Sequence, residues 1–358
     1  MTQSEIAYRR LHNQLVTRQV FDKPGDGVRH LGAVQAQDYL ASLWAVGLRL
    51  PQATVADIEQ AIADRAMVRT WPMRGTIHYV APEDVRWMPS LLTPRVITRS
   101  AGRYRQLELD EAVFSRSCEV FIRVLQGGKA LTRNALYERL EEAGINPKGG
   151  RGLHILGHLA QQRLICFGPR AAKQPTFVLL DEWVPESRTL GRDEALAELA
   201  RRYFSSHGPA TLQDFTWWSG LTVADAKVGL EATQAELTST TVEGATYWFA
   251  EGSWTKEKSP SVHLLPFFDE FLVAYKDRSA ALEPARVKQV NAGGGLLNPT
   301  IVLDGRVVGT WKRTLGKNSV SLTLSLFALL DKAQIRTVHE AAECYGEFLG
   351  LPVGLEIT

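Results

Sequence analysis

The 358-residue sequence has little cysteine, no long apolar run and almost no excess of either charge. Its three cysteines, Cys118, Cys166 and Cys344, lie far apart and form no CxxC pair, which argues against a disulfide framework and a thiolate zinc site. No metal or other cofactor is expected. No apolar run approaches the roughly 18–20 residues that a membrane span requires. The opening residues, Met1-Thr2-Gln3-Ser4-Glu5-Ile6, lack the basic and then apolar pattern of a secretory signal. A soluble cytoplasmic protein without a membrane partner is expected. Disorder is not indicated, since 45% of residues are hydrophobic and 22% charged, and the length suits two or three domains.

The net charge of +2 is too mild to require a polyanionic partner, but it hides local asymmetry. Residues 129–173 hold eight Lys and Arg against three acidic residues, and residues 276–317 again hold eight against three. Each window is therefore +5 and the remainder of the chain −8. Such patches suit a polyanion that touches only part of the surface, and they are equally what ordinary solvated faces look like.

Two stretches share one order of elements. Thr132 is a good N-cap for a helix with Ala135, Leu136, Tyr137 and Leu140 on its apolar stripe and Gly144 at its end. After Lys148-Gly149-Gly150-Arg151, the pattern predicts a second helix over 152–163 that buries Leu153, Leu156 and Leu159 and turns His154, His158, Gln161 and Gln162 to other faces. Strands over 164–167 and 176–180 follow, joined through Gly168-Pro169-Arg170. Later, Thr211 opens a helix that Gly220 stops. Thr222 with Asp225 opens another, which presents Val223, Ala226 and Leu230. A hairpin turning at Glu243-Gly244 comes next. Helix, turn, helix and β-hairpin is the order of a winged helix.

The N-terminal region fits the same order more loosely, with helices near 4–18, 28–34, 40–48 and 55–63 ahead of strands 67–71 and 76–80. Arg69, Trp71, Arg74 and His78 would decorate that wing. Between the two central helices lies Val34-Gln35-Ala36-Gln37-Asp38-Tyr39. Glutamines two apart face nearly opposite ways on a helix, so they can serve one substrate only where the helix has ended. Asp38 favours such a break. Two amides side by side can hold one water by donating and accepting hydrogen bonds, yet they are poor bases. By itself a Gln-x-Gln triplet is more often solvated surface or local capping.

Beyond Gly252 the chain turns mostly β. A short strand is expected over 262–266, a hairpin of 300–303 with 307–311 across Asp304-Gly305, and a further strand over 320–324. Asn291-Ala292-Gly293-Gly294-Gly295 is read as a mobile loop, since it does not fit GxGxxG followed by a helix. A helix over 327–348 is expected to close the domain.

Taken together, Gln35-Ala36-Gln37, Arg69 to His78, His263 to Glu270 and Gly305 to Arg313 make the whole chain resemble the winged-helix DNA glycosylases of the AlkZ and YcaQ kind. The resemblance implies an α+β fold of tandem winged-helix units around a concave DNA-binding channel, with a β-rich C-terminal part. The expected division is 1–106 with the glutamines, 107–187, 188–252, and 253–358 with its closing helix. In that family a Gln-apolar-Gln motif is catalytic, which would assign catalysis to Gln35 and Gln37, with Ala36 smaller than the large apolar residues that can separate them.

Hydrolysis of an N-glycosidic bond by neutral amides needs a base already primed to leave. A purine alkylated at N3 or N7 is cationic and departs neutral, so the pair need only position water. Asp38 is either an electrostatic partner for the sugar cation or, twice as readily, the cap of the next helix. No lysine lies near the motif in sequence to form a Schiff base, so a monofunctional enzyme is expected. The partner would be double-stranded DNA carrying alkylated bases, met by a monomer. Arg69, Arg74, Arg151, His154, Lys312 and Arg313 are the candidate DNA contacts. His263 is a candidate active-site contact or a satisfied core histidine. Trp71, Trp217, Trp218 and Trp311 invite stacking on an extruded base, with core packing the better reading for at least three of them. Two other classes remain open: a winged-helix transcription regulator, which commonly binds as a symmetric dimer, and a resistance factor that sequesters damaged DNA without turnover.

Overall fold

The structure is a computed structural model that describes residues 1–252, 260–293 and 296–358. It is a mixed α+β fold, and no described helix is long and apolar enough to cross a membrane. The chain divides into two compact units, one formed by Met1–Glu59 with Leu196–Thr358 and the other by Gln60–Ala195. Residues 1–106 contribute to both.

In the unit Gln60–Ala195, the hairpin of Val68–Met73 with Thr76–Val80 turns at Arg74 and Gly75, both left-handed. The long helix Trp87–Gln106 packs on its first strand and on helix Arg151–Gln161. Thr132 caps helix Arg133–Glu142 through a hydrogen bond from Ala135 N, as its position ahead of the apolar stripe predicts. The hairpin Ile165–Ala171 with Gln174–Leu179 completes a three-stranded sheet with Leu131–Thr132.

Three local expectations for this unit are corrected. Leu153 is 56% exposed, because it falls in the first turn at the edge of a buried stripe made by Gly152, Ile155, Leu156 and Leu159. His158 and Gln161, expected on faces other than the leucine stripe, are buried as well. The chain does not reverse at Gly168-Pro169-Arg170: a register shift between Gly168 and Ala171 takes Pro169 into the strand, where its missing N–H is tolerated, and the reversal comes at Ala172.

The other unit is built on a five-stranded sheet in the order Val353–Ile357, Val320–Leu326, Arg306–Leu315, Thr300–Leu303, Val262–Leu265. The strands are antiparallel except Val353–Ile357, which runs parallel to Val320–Leu326 after a crossover through helix Lys332–Leu349. Asp304 and Gly305 make the expected left-handed hairpin turn. The closing helix begins at Lys332 rather than Phe327, because Asp331 and Gln334 form a reciprocal capping box there. A strand, and not that helix, is the last element.

Helices Leu212–Ser219 and Val223–Thr233 and the hairpin Thr238–Val242 with Ala245–Phe249 follow the expected order, although Val223 is 64% exposed at the first position of its helix. Asn291–Gly293 is a strand paired with Leu296–Leu297 rather than a loop; Gly294 and Gly295 lie outside the described residues.

Candidate active site

Gly32 ends helix Pro24–Leu31 with a left-handed φ of 78°, a conformation that a side chain would resist. The chain then runs extended through Val34–Gln35, and burial alternates with period two: Val34 and Ala36 are sealed in the core, Gln35 is half-buried and Gln37 exposed. Gln35 and Gln37 thus flank a buried alanine, with the chain extended at Gln35 and bent at Gln37. Ala36 is packed inward between them. Gln35 Oε1 is shielded from solvent and has no hydrogen-bond partner among the described residues, which leaves a strong acceptor waiting for a donor.

Asp38 turns the segment into helix Tyr39–Gly47 by accepting a 2.8 Å hydrogen bond from Ala41 N. That helix is almost wholly apolar and docks on the C-terminal helix. Gly47 allows the approach, since a Cβ there would meet the Phe348 ring at 2.3 Å. Trp44 packs on Tyr345 and Phe348 and donates from its indole nitrogen to Leu264 O at 2.7 Å. Arg313 donates to the Tyr345 hydroxyl. Burial pushes that phenol up; Arg313 opposes the shift and the Asp38 charge adds to it. Arg313 and Asp38 thus both act on one aromatic residue beneath the motif.

Two neighbouring acidic residues secure the segment. Arg49, just past the helix, is buried and donates to both carboxylate oxygens of Asp269 at 2.8 and 2.9 Å, to Ala45 O and to Gln14 O. Asp269 also accepts from Phe271 N, which starts the short helix Glu270–Val273. Glu270, buried, accepts from Gln35 N at 3.1 Å and from the Trp218 indole at 3.0 Å. Neither carboxylate was among the site residues expected from sequence. The available signal is an acidic pair inside the apolar stretch Leu264 to Tyr275, where a charge has to be compensated on burial.

The other candidates are dispersed. In the same unit Lys312 is exposed on the strand Arg306–Leu315. His263 is on the strand Val262–Leu265, its Nε2 buried and without a partner among the described residues. Burial first, then Arg49, pushes its pKa down to about 4, so the ring is neutral at physiological pH. Trp218 and Trp311 are core residues; Trp217 is 43% exposed, with Lys276 Nζ 5.1 Å from its ring centroid.

In the unit Gln60–Ala195, Arg69 is buried with its guanidinium 4.3 Å from the Phe167 ring centroid, and Trp71 stacks on the same ring. Arg74 lies at the hairpin turn, 3.3 Å from His78 Nε2. Arg151 donates to the carbonyls of Asn146, Leu107 and Glu108 and so ties its helix start to the preceding loop and to the end of helix Trp87–Gln106. His154 is half-buried beside Tyr104, its pKa lowered by burial and then by Arg103. Among the described residues no cluster of His, Cys, Asp and Glu could hold a metal ion.

A family model described as "DNA glycosylase AlkZ-like" matches residues 28–348, and the chain belongs to that family. The chain is 29% identical over 328 residues to an interstrand DNA cross-link repair glycosylase of Streptomyces sahachiroi, covering 85% of each protein. The solved structure of the Streptomyces sahachiroi DNA glycosylase AlkZ superposes over the full length of both chains with a TM-score of 0.80 at 22% identity, a likeness of fold.

Proposed function

We propose that the chain is a monofunctional DNA glycosylase that hydrolyses the N-glycosidic bond of purines alkylated at N3 or N7, with Gln35 and Gln37 holding the attacking water. The observation that supports this reading is Gln35 Oε1, a shielded acceptor with no hydrogen-bond partner among the described residues, two positions before the exposed Gln37. A water donating to that oxygen and to the neighbouring amide would have its lone pair held toward the anomeric carbon. The C1′–N bond breaks and its electron pair leaves with the base, which neutralises the cationic purine. Water oxygen bonds to C1′, its proton passes to solvent, and an abasic site remains. Asp38 caps the following helix and adds a negative charge one residue from Gln37, beside the developing sugar cation.

The helix, helix and hairpin segments support a reading as tandem winged helices, divided at 1–106, 107–187, 188–252 and 253–358, around a concave channel for duplex DNA. Arg69, Arg74, Arg151, His154, Lys312 and Arg313 are the proposed phosphate contacts, and His263 a proposed contact of the active site. The Streptomyces relative is described as repairing interstrand cross-links, which extends the proposed substrates to cross-linked purines. The protein is proposed to act as a cytoplasmic monomer without a cofactor. Release of free 7-methylguanine from a methylated duplex is the direct test. Gln35→Ala and Gln37→Ala are each expected to lower the single-turnover rate by about 100-fold, the cost of a misplaced reactant. A sequence-specific footprint with no base release would favour a regulator instead.

A further inference from the structure

Behind Gln35 lies a carboxylate for which the amide chemistry has no use. Glu270 is 1% exposed; its Oε1 accepts from the Gln35 main-chain N–H at 3.1 Å, and its Oε2 accepts from the Trp218 indole at 3.0 Å. Oε2 is also 3.5 Å from His207 Nε2. Burial pushes the His207 imidazole below its ordinary value against the pull of Glu270, so at neutral pH the ring meets the carboxylate uncharged. The adjacent Asp269 is gripped by Arg49, which follows the helix that the motif opens. Residues 35 and 49 are thereby fastened to residues 270 and 269, and the intervening segment is held at both ends. Burying a carboxylate is costly, and apolar side chains of similar volume would pack such a place as well or better. With an N–H donor on each oxygen, the carboxylate at this position has a role open to it beyond packing.

We propose that Glu270 is the positioning residue of the glycosidic hydrolysis: it fixes the main chain of Gln35 and sets a negative charge behind the amide pair. This rests on the assignment of Gln35 and Gln37 as the water-holding pair. Glu270 neither gives nor takes a proton in the step. It acts through the Gln35 peptide and through its field, which supplies the charge that two neutral amides lack.

The test is single-turnover base release from methylated duplex, with DNA affinity measured alongside. Glu270→Gln keeps the shape and removes the charge. It is expected to slow the chemical step by about 100-fold at unchanged affinity, and Glu270→Asp is expected to recover part of the loss. Because Glu270 acts in part through Gln35, the double variant Gln35→Ala/Glu270→Gln is expected to lose less than the product of the two single losses. A wild-type rate in Glu270→Gln, losses that multiply in the double variant, or a loss confined to affinity would each overturn the inference. If Glu270→Gln does not fold, hydrogen exchange in the unmodified protein decides: the Gln35 amide is expected to be protected, and exchange at the rate of an open amide overturns the proposal. Activity lost in Gln35→Ala but kept in Glu270→Gln removes this inference alone. A wild-type protein that releases no base removes the glycosylase reading and this inference together.

Discussion

Asp38 performs one job that the structure displays and another that the chemistry invites, and two substitutions separate them. Asn caps helices about as well as Asp, whereas Ala forfeits the cap. Asp38→Ala is expected to lower stability by about 1 kcal/mol, and Asp38→Asn by little, as read by chemical denaturation. If the charge supports the sugar cation, Asp38→Asn still slows base release; an unchanged rate would leave Asp38 as a cap only. The capping by Asp38 was legible in the sequence, because it is local and needs only an Asp ahead of an apolar run. Glu270 was not legible in the same way. Its hydrogen bond to Gln35 spans 235 positions, and no periodicity reports a contact of that range.

At the scale of elements, helix Arg151–Gln161 carries a buried histidine that makes its unit sensitive to acid. His158 stacks on Phe114 with ring centroids 3.7 Å apart, and burial pushes its pKa from 6.5 down to about 4. Unfolded chain takes up the proton near pH 6.5 and folded chain only near pH 4, so below 6.5 the unfolded state binds more protons and stability falls as pH drops toward 4. Thermal melting between pH 7 and 4 is expected to show that decline, and His158→Phe to flatten it; an identical slope in the variant would assign the acid sensitivity elsewhere, His263 being the next candidate. Elements with punctuation at both ends were the readable ones. Helix Val55–Ala63, the hairpin at Asp304-Gly305 and helix Leu212–Ser219 between Thr211 and Gly220 occur where the sequence puts them. Helix Trp87–Gln106 was missed, since it carries Pro94 in its interior, a residue that ordinarily marks a break. The strand Val353–Ile357 was missed as well, because its partner is supplied by a parallel crossover rather than by a tight turn.

For the molecule as a whole, the buried Arg49–Asp269 pair joins the N-terminal segment to the C-terminal part of one unit. Breaking it from one side strands a charge in the interior, so Arg49→Met is expected to cost about 3–5 kcal/mol in denaturant unfolding. Replacing both partners by apolar residues is expected to cost much less; equal losses would show that the pair itself, and not the stranded charge, sets the stability. Under the proposed function, duplex binding draws on the proposed phosphate contacts in sum. If three of the five proposed Arg and Lys contacts neutralise phosphates, the logarithm of affinity falls against the logarithm of salt with a slope of about −2.7. Binding indifferent to salt would defeat the assignment.

The unit that holds the glutamines is assembled from Met1–Glu59 and Leu196–Thr358, with the other unit inserted between them. During synthesis the first 59 residues leave the ribosome without their counterpart, and at 5–20 residues per second roughly ten to fifty seconds separate the emergence of Gln35 from that of Glu270. The inserted unit has that interval in which to fold by itself. A translation product cut short before residue 270 would carry the Gln-Ala-Gln stretch without the carboxylate that accepts the Gln35 main-chain hydrogen bond.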